Sequence, residues 1–253
     1  MWPSTDGVAV PSRHEQVDDP ELAAKLVLAR RGTAYFARKL AELPDTDLDA
    51  PSTLPGWSRR HVIAHVGYNA RALTRLLEWA ATGVETPMYA TPEQRNQEIE
   101  LGSTMSPVAL RHLVAHSTVH LNVEWRDLPK EAWSAKVRTA QGRIVPASET
   151  AWMRTREVWI HAVDLDNGGS FHDFPPELLD SLITDVTNKW RSGSSPPALQ
   201  LTPTDRSFLV RVTDDPKVTI TGTAADLARW AAGRGTKHIT ASTDPVPDPP
   251  RWL

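Results

Sequence analysis

Glu157 and His161 stand four residues apart in "REVWIHAVDL" (156–165), within the longer stretch "ETAWMRTREVWIHAVDL". Its Trp152, Met153, Val158, Trp159, Ile160, Val163 and Leu165 give it the length and composition of a buried helix. On a helix, residues at i and i+4 have Cβ atoms about 5 to 6 Å apart, so the carboxylate and the imidazole can reach one metal ion. Catalytic zinc typically takes three protein ligands, His2Glu being one standard set, and keeps a fourth position open. The third ligand has to come from a facing helix. "GWSRRHVIAHVGYNARALTRLLEWA" (56–80) offers His61 and His65. The apolar stripe there runs through Val62, Val66, Ala70, Leu73 and Leu77, and at 100° per residue His65 lies nearer its border than His61. His65 is the better candidate.

Other readings of these residues stay open. Glu157 can pair with Arg154 or Arg60, and both histidines can be core groups satisfied by backbone or neighbours. A second histidine series, His112, His116 and His120 in "HLVAHSTVH", repeats every four residues, but beside Arg111 and Arg126 it reads as a solvated helix edge. In "GRGTK" (233–237), Arg234 between two glycines offers a bidentate fork to a carboxylate, or else marks a helix end in water. The sequence contains no HExxH, GxSxG, GxxxxGK or GxGxxG.

Four segments carry the helical periodicity that would position these groups: 19–43, 58–82, 106–127 and 148–166. Ser58 and the pair Ser106-Pro107 mark starts, and Gly83 and "DNGG" (166–169) mark stops. Such helices describe a bundle with ligand sites between facing members. The connection 128–147 is longer than a bundle needs and is either a binding loop or a plain surface loop. After Gly169 the texture changes: "PPELLDSLITDVTNKW" is helical, "SFLVRVT" and "KVTITGT" around "DDP" predict a hairpin, "TAADLARWAAG" a short helix and "HITASTD" a further strand. The expected class is α+β, with a helical domain over 1–169 and a smaller mixed α/β domain over 170–253.

A chain of 253 residues can bury roughly 70 to 75% of its unfolded surface. With 28 basic and 31 acidic residues and a formal charge of -3, it has no basic run that would call for nucleic acid or an anionic membrane. The first twenty residues lack the pattern of a signal peptide, and no apolar run reaches about 18 residues, so a cytoplasmic protein is expected, with a monomer favoured. There is no cysteine, so any thiol chemistry uses a thiol from outside.

The segments "LPGWSRRHVIAHVGYNARAL", "ETPMY", "TAQGRIVPASETAWMRTREVWIHAVDL" and "WAAGRGTKHIT...PPRWL" resemble the mycothiol-dependent maleylpyruvate isomerases, within the wider DinB-like metal-binding four-helix superfamily. The similarity runs from about residue 20 to the C-terminus. The resemblance implies a DinB-like four-helix bundle followed by an α/β domain, and a zinc ion held by His65, Glu157 and His161. It further implies a functional arginine at Arg234, with Arg95 in "PEQRNQEI" as a second. The implied cofactors are zinc and mycothiol, and the implied reaction is conversion of maleylpyruvate to fumarylpyruvate in the gentisate route of aromatic breakdown.

In that chemistry a zinc-bound thiolate adds to the cis double bond, the resulting single bond rotates, and elimination returns the trans isomer. Arg234 and Arg95 are expected to hold the substrate carboxylates. Asp164, one turn beyond His161, is a candidate acceptor for the histidine's other ring N–H; the alternative is a helix-end aspartate in water. Two further functions remain open. One is a mycothiol S-transferase that conjugates electrophiles, and the other is a metal- or ligand-binding protein without turnover.

Overall fold

A computed structural model of the chain describes residues 17–252. The stretch screened for a targeting signal therefore lies, through residue 16, outside the described residues, as does the terminal Leu253. Among the described residues, the first two thirds hold five α-helices: α1 (Pro20–Glu42), α2 (Arg59–Thr82), α3 (Pro92–Ser103), α4 (Pro107–Asp127) and α5 (Glu149–Asp164). Four of these fall where the periodicity places them. Of the described residues, those through Arg30 together with Ile63–Thr155 form one compact unit; Arg31–Val62 and the chain from Arg156 onward form another. α1, α2 and α5 each contribute residues to both.

In the first unit, Leu22 and Leu26 of α1, Leu73 and Leu77 of α2, Leu121 and Trp125 of α4, and Ala151 and Met153 of α5 share one buried core. The i, i+4 repeat of the pairs from α1, α2 and α4 is what a core-facing helical stripe requires. Each leucine so buried contributes about 1.5 to 3 kcal/mol. Polar groups inside are partnered: Trp125 donates its indole N–H to Thr150 Oγ1 at 3.0 Å, and the buried Arg154 donates to the Val66 carbonyl at 2.7 Å and to Asn69 Oδ1 at 3.0 Å.

α3 is an addition to the expected set. It starts on Thr91, whose hydroxyl accepts from the Gln94 N–H, and on Pro92. Both are sound start signals. Its buried members are Ile99 and Gly102 alone, so it carries no apolar stripe to read. At Gly102 it closes on α2: a methyl there would lie 2.7 Å from both Ala64 Cβ and Tyr68 Cε2.

The connection 128–147 is built rather than bare. A 3-10 turn (Lys130–Ser134) leads to strands β1 (Lys136–Arg138) and β2 (Ile144–Pro146), paired antiparallel with Val137 opposite Val145. Trp133, Val137 and Val145 belong to the core of this unit.

In the second unit, α6 (Pro176–Arg191) is followed by β3 (Leu199–Pro203), β4 (Val210–Arg211), β5 (Val218–Gly222), α7 (Ala224–Ala231) and β6 (Thr240–Ala241). The sheet order is β4-β3-β5-β6, with β3 parallel to β5 and the other two pairings antiparallel. The hairpin expected from "SFLVRVT" and "KVTITGT" is therefore not formed: β3 lies between their strands. Its "LQLTP" buries Leu199, Leu201 and Pro203 and uses both edges. The short helix and the last strand are present as α7 and β6. α7 packs on α6 and on the sheet through β3 and β5, and Trp190 and Trp230 meet edge to face at 5.8 Å. The tail is tied down by the carbonyls of Pro250 and Pro247, which accept from the indoles of Trp190 and Trp230. The architecture is α+β as expected, a helix-rich region followed by a smaller part with a mixed sheet. No described helix is long and apolar enough to cross a membrane.

Candidate metal centre

α2 and α5 bring His65, Glu157 and His161 together. One ligand atom from each lies within 4.8 Å of the others. His65 is 5% exposed, and the side chains of His161 and Glu157 are 12% and 21% exposed. His161 Nε2 stands 3.2 Å from Glu157 Oε2, which is the contact that i, i+4 spacing predicts. The donor set, two imidazoles and a carboxylate, suits a divalent metal of the zinc type.

Behind His161 is a second layer of bonds. Its Nδ1 lies 2.8 Å from Asp164 Oδ2. Asp164 is fully buried, and as a carboxylate it can only accept, so Nδ1 carries a proton and Nε2, which faces Glu157, is the nitrogen whose lone pair a metal would take once its own proton has left. Arg234 donates to the same carboxylate through Nε to Oδ1 at 3.2 Å and through NH2 to Oδ2 at 2.7 Å. Its NH1 donates to the Ala232 carbonyl. Thr53 adds a hydroxyl bond to Asp164 Oδ1 at 2.7 Å and a backbone N–H bond to the Asp164 carbonyl at 3.1 Å.

The local chain makes this possible. Gly233 and Gly235 have φ of 75° and 92°, the left-handed region that glycine enters at least cost, so the backbone turns sharply after α7 and presents Arg234 between them. Thr53 is held in a tight turn in which the Ser52 N–H donates to the Trp57 carbonyl at 2.9 Å.

Burial alone would depress the His161 pKa, but hydrogen bonds to Asp164 and Glu157 and the two nearby negative charges outweigh it and raise it to about 9 in the metal-free site. Burial alone would raise Asp164. Its bonds from His161 and Arg234 prevail and hold it well below the usual carboxylate range.

The remaining expected residues are placed as follows. His61 is turned toward the start of α2, where its Nδ1 accepts from the Ser58 N–H at 3.2 Å and lies 2.7 Å from the Ser58 hydroxyl. Arg95, on α3, has NH2 3.5 Å from His65 Nδ1, at the outer limit of a hydrogen bond. Arg60 forks onto Asp49, and Arg154 bonds within its own core as described. His112, His116 and His120 are exposed on α4, with His120 3.4 Å from Glu124. Thr53 was not legible, because nothing in a sequence links it to an aspartate 111 residues on. A second grouping with metal-type donors, His172, Asp226 and His238, has two exposed members, and its Asp226 Oδ1 already receives Arg229 at 3.1 Å.

Fold and cluster together define a class: an α+β protein whose bundle-like helices present a His2Glu set suited to a divalent metal. The chain belongs to the mycothiol maleylpyruvate isomerase family. Residues 29–166 match the family's "Mycothiol maleylpyruvate isomerase N-terminal domain" and residues 173–251 its "MDMPI C-terminal domain". Two solved structures are similar over 91% of this chain and 97% of theirs, at 48% identity and a TM-score of 0.88. They are crystal structures of the mycothiol-dependent maleylpyruvate isomerase and of a histidine-to-alanine mutant of it. Both are isomerases. No curated protein matches the chain.

Proposed function

We propose that this protein is a cis-trans isomerase that converts maleylpyruvate to fumarylpyruvate with mycothiol, serving the gentisate route of aromatic breakdown in the cytoplasm. The observation that carries the reading is the convergence of His65, Glu157 and His161 in a chain of this family. We assign residues 1–169 to the metal-binding helical domain and 170–253 to the α/β domain, a division supported by the limits of the two family matches.

The three side chains hold zinc, and their number is that of catalytic sites in which one position stays free for an outside ligand. Bound there, zinc and mycothiol would supply a nucleophilic thiolate at neutral pH, the chemistry that a cis-trans isomerisation of this double bond calls for. The protein's own residues do the rest. Asp164 holds His161 in the tautomer that turns Nε2 toward Glu157. Arg95, with its guanidinium beside His65, supplies positive charge for a carboxylate of the dianionic substrate. The chain itself brings no thiol, since it contains no cysteine, so none competes for the metal.

The test is maleylpyruvate conversion followed by absorbance, using zinc-loaded protein with and without mycothiol. Turnover only with mycothiol supports the proposal. Zinc bound with no isomerisation, but with conjugation of an added electrophile to mycothiol, would move the assignment to an S-transferase. Bound zinc with neither activity would make it a binding protein.

A further inference from the structure

All three guanidinium nitrogens of Arg234 are engaged by the protein: Nε and NH2 by Asp164, NH1 by the Ala232 carbonyl. A fork so placed is matched to a carboxylate of the protein before any substrate arrives. The same Asp164 carboxylate takes the Nδ1–H of His161 and the hydroxyl of Thr53. Its two oxygens thus receive four donors, two each, in a fully buried position.

We infer that Arg234 and Thr53 are positioning residues that act on the metal through Asp164: they fix the carboxylate, which fixes the ring orientation and tautomer of His161, which sets the affinity of the centre. The inference rests on His161 being a metal ligand. It gives the glycine-flanked loop after α7 a defined task. Gly233 and Gly235 supply the turn, Arg234 carries the fork, and a segment some 70 residues beyond Asp164 reports on a helix ligand. Partners of this kind typically change metal affinity or activity about 10- to 100-fold when altered.

The experiment compares zinc affinity, by competition with a chromophoric chelator, and the visible spectrum of the cobalt-substituted protein. The proteins are the wild type, Arg234→Met, Arg234→Lys, Thr53→Val and Asp164→Asn. Helical circular dichroism and a thermal melt accompany each, so that a variant that fails to fold is recognised. Because Asp164→Asn perturbs a buried group, the gentler Thr53→Val and Arg234→Lys keep the test decisive if it does not fold. Kinetics at saturating zinc complete the comparison.

Arg234→Met and Asp164→Asn are expected to bind zinc about 10- to 100-fold more weakly and to alter the cobalt spectrum, with Arg234→Lys recovering part of the affinity. The KM for maleylpyruvate at saturating zinc should move little in Arg234→Met. Wild-type zinc affinity in a folded Arg234→Met, combined with a raised KM, would overturn the inference and place the arginine on the substrate. Failure of the wild type itself to bind zinc is a different result: it removes the metal reading, and this inference with it.

Discussion

The two ring nitrogens of His161 face opposite tasks, Nδ1 toward Asp164 and Nε2 toward Glu157. A metal at Nε2 needs the lone pair there, so the proton that keeps the metal-free imidazole charged up to about pH 9 must leave. Zinc affinity should therefore rise as pH is raised toward about 9, by at most tenfold per pH unit, and level off above; a titration calorimeter would also register proton release. The linked stability has the opposite sign. Since the folded pKa lies above the ordinary 6.5, the metal-free protein holds this contribution fully below about pH 6.5 and loses it as pH passes through about 9. His65→Ala should abolish tight zinc binding and turnover while the far-UV spectrum stays that of the wild type, because the first-unit core of Leu22, Leu73, Leu121 and Trp125 does not include it. The pair Glu157 and His161 was legible because two polar groups at i, i+4 interrupted an apolar helix. Thr53 and the link from Arg234 to Asp164 were not, since they join distant segments by hydrogen bonds that leave no local pattern.

Among the elements, the helices with an apolar stripe were readable and the one without it was not. α3 buries only Ile99 and Gly102, yet it carries Arg95 to within 3.5 Å of His65 Nδ1. Its seat on α2 is the glycine at 102. Gly102→Ala would gain about 1 kcal/mol of helix propensity. Against this, the new methyl would stand 2.7 Å from Ala64 Cβ, and overpacking of that kind costs about 1 to 3 kcal/mol. Overpacking should win, lowering the thermal midpoint by a few degrees and raising KM through displacement of Arg95; an unchanged melt and KM would show that α3 does not position it. The strands were misread for a different reason. Neighbours in sequence suggest a hairpin, but β4 and β5 are separated by β3, whose five residues end in proline and give little local signal. Pairing of that kind is set by the packing of the sheet on α7, which a local pattern does not encode.

For the molecule as a whole, the proposed assignment makes stability and function meet at the metal. A ligand present at 1,000 times its Kd adds about 4.1 kcal/mol to the folded state. At about 2 to 4 °C per kcal/mol for a chain of this size, stripping zinc with a chelator should lower the thermal midpoint by on the order of 10 °C, and zinc should restore it. A midpoint indifferent to chelation would mean that the metal contributes nothing to the fold. The measurement that bears most directly on the central claim is a titration of the stripped protein with zinc, in the presence of mycothiol and maleylpyruvate, with the initial rate read at each addition. The rate should start near zero, climb in proportion to added zinc and break at one ion per chain. Full turnover by the stripped protein, before any zinc is added, would contradict the assignment of His65, Glu157 and His161 as the metal centre on which the reaction depends.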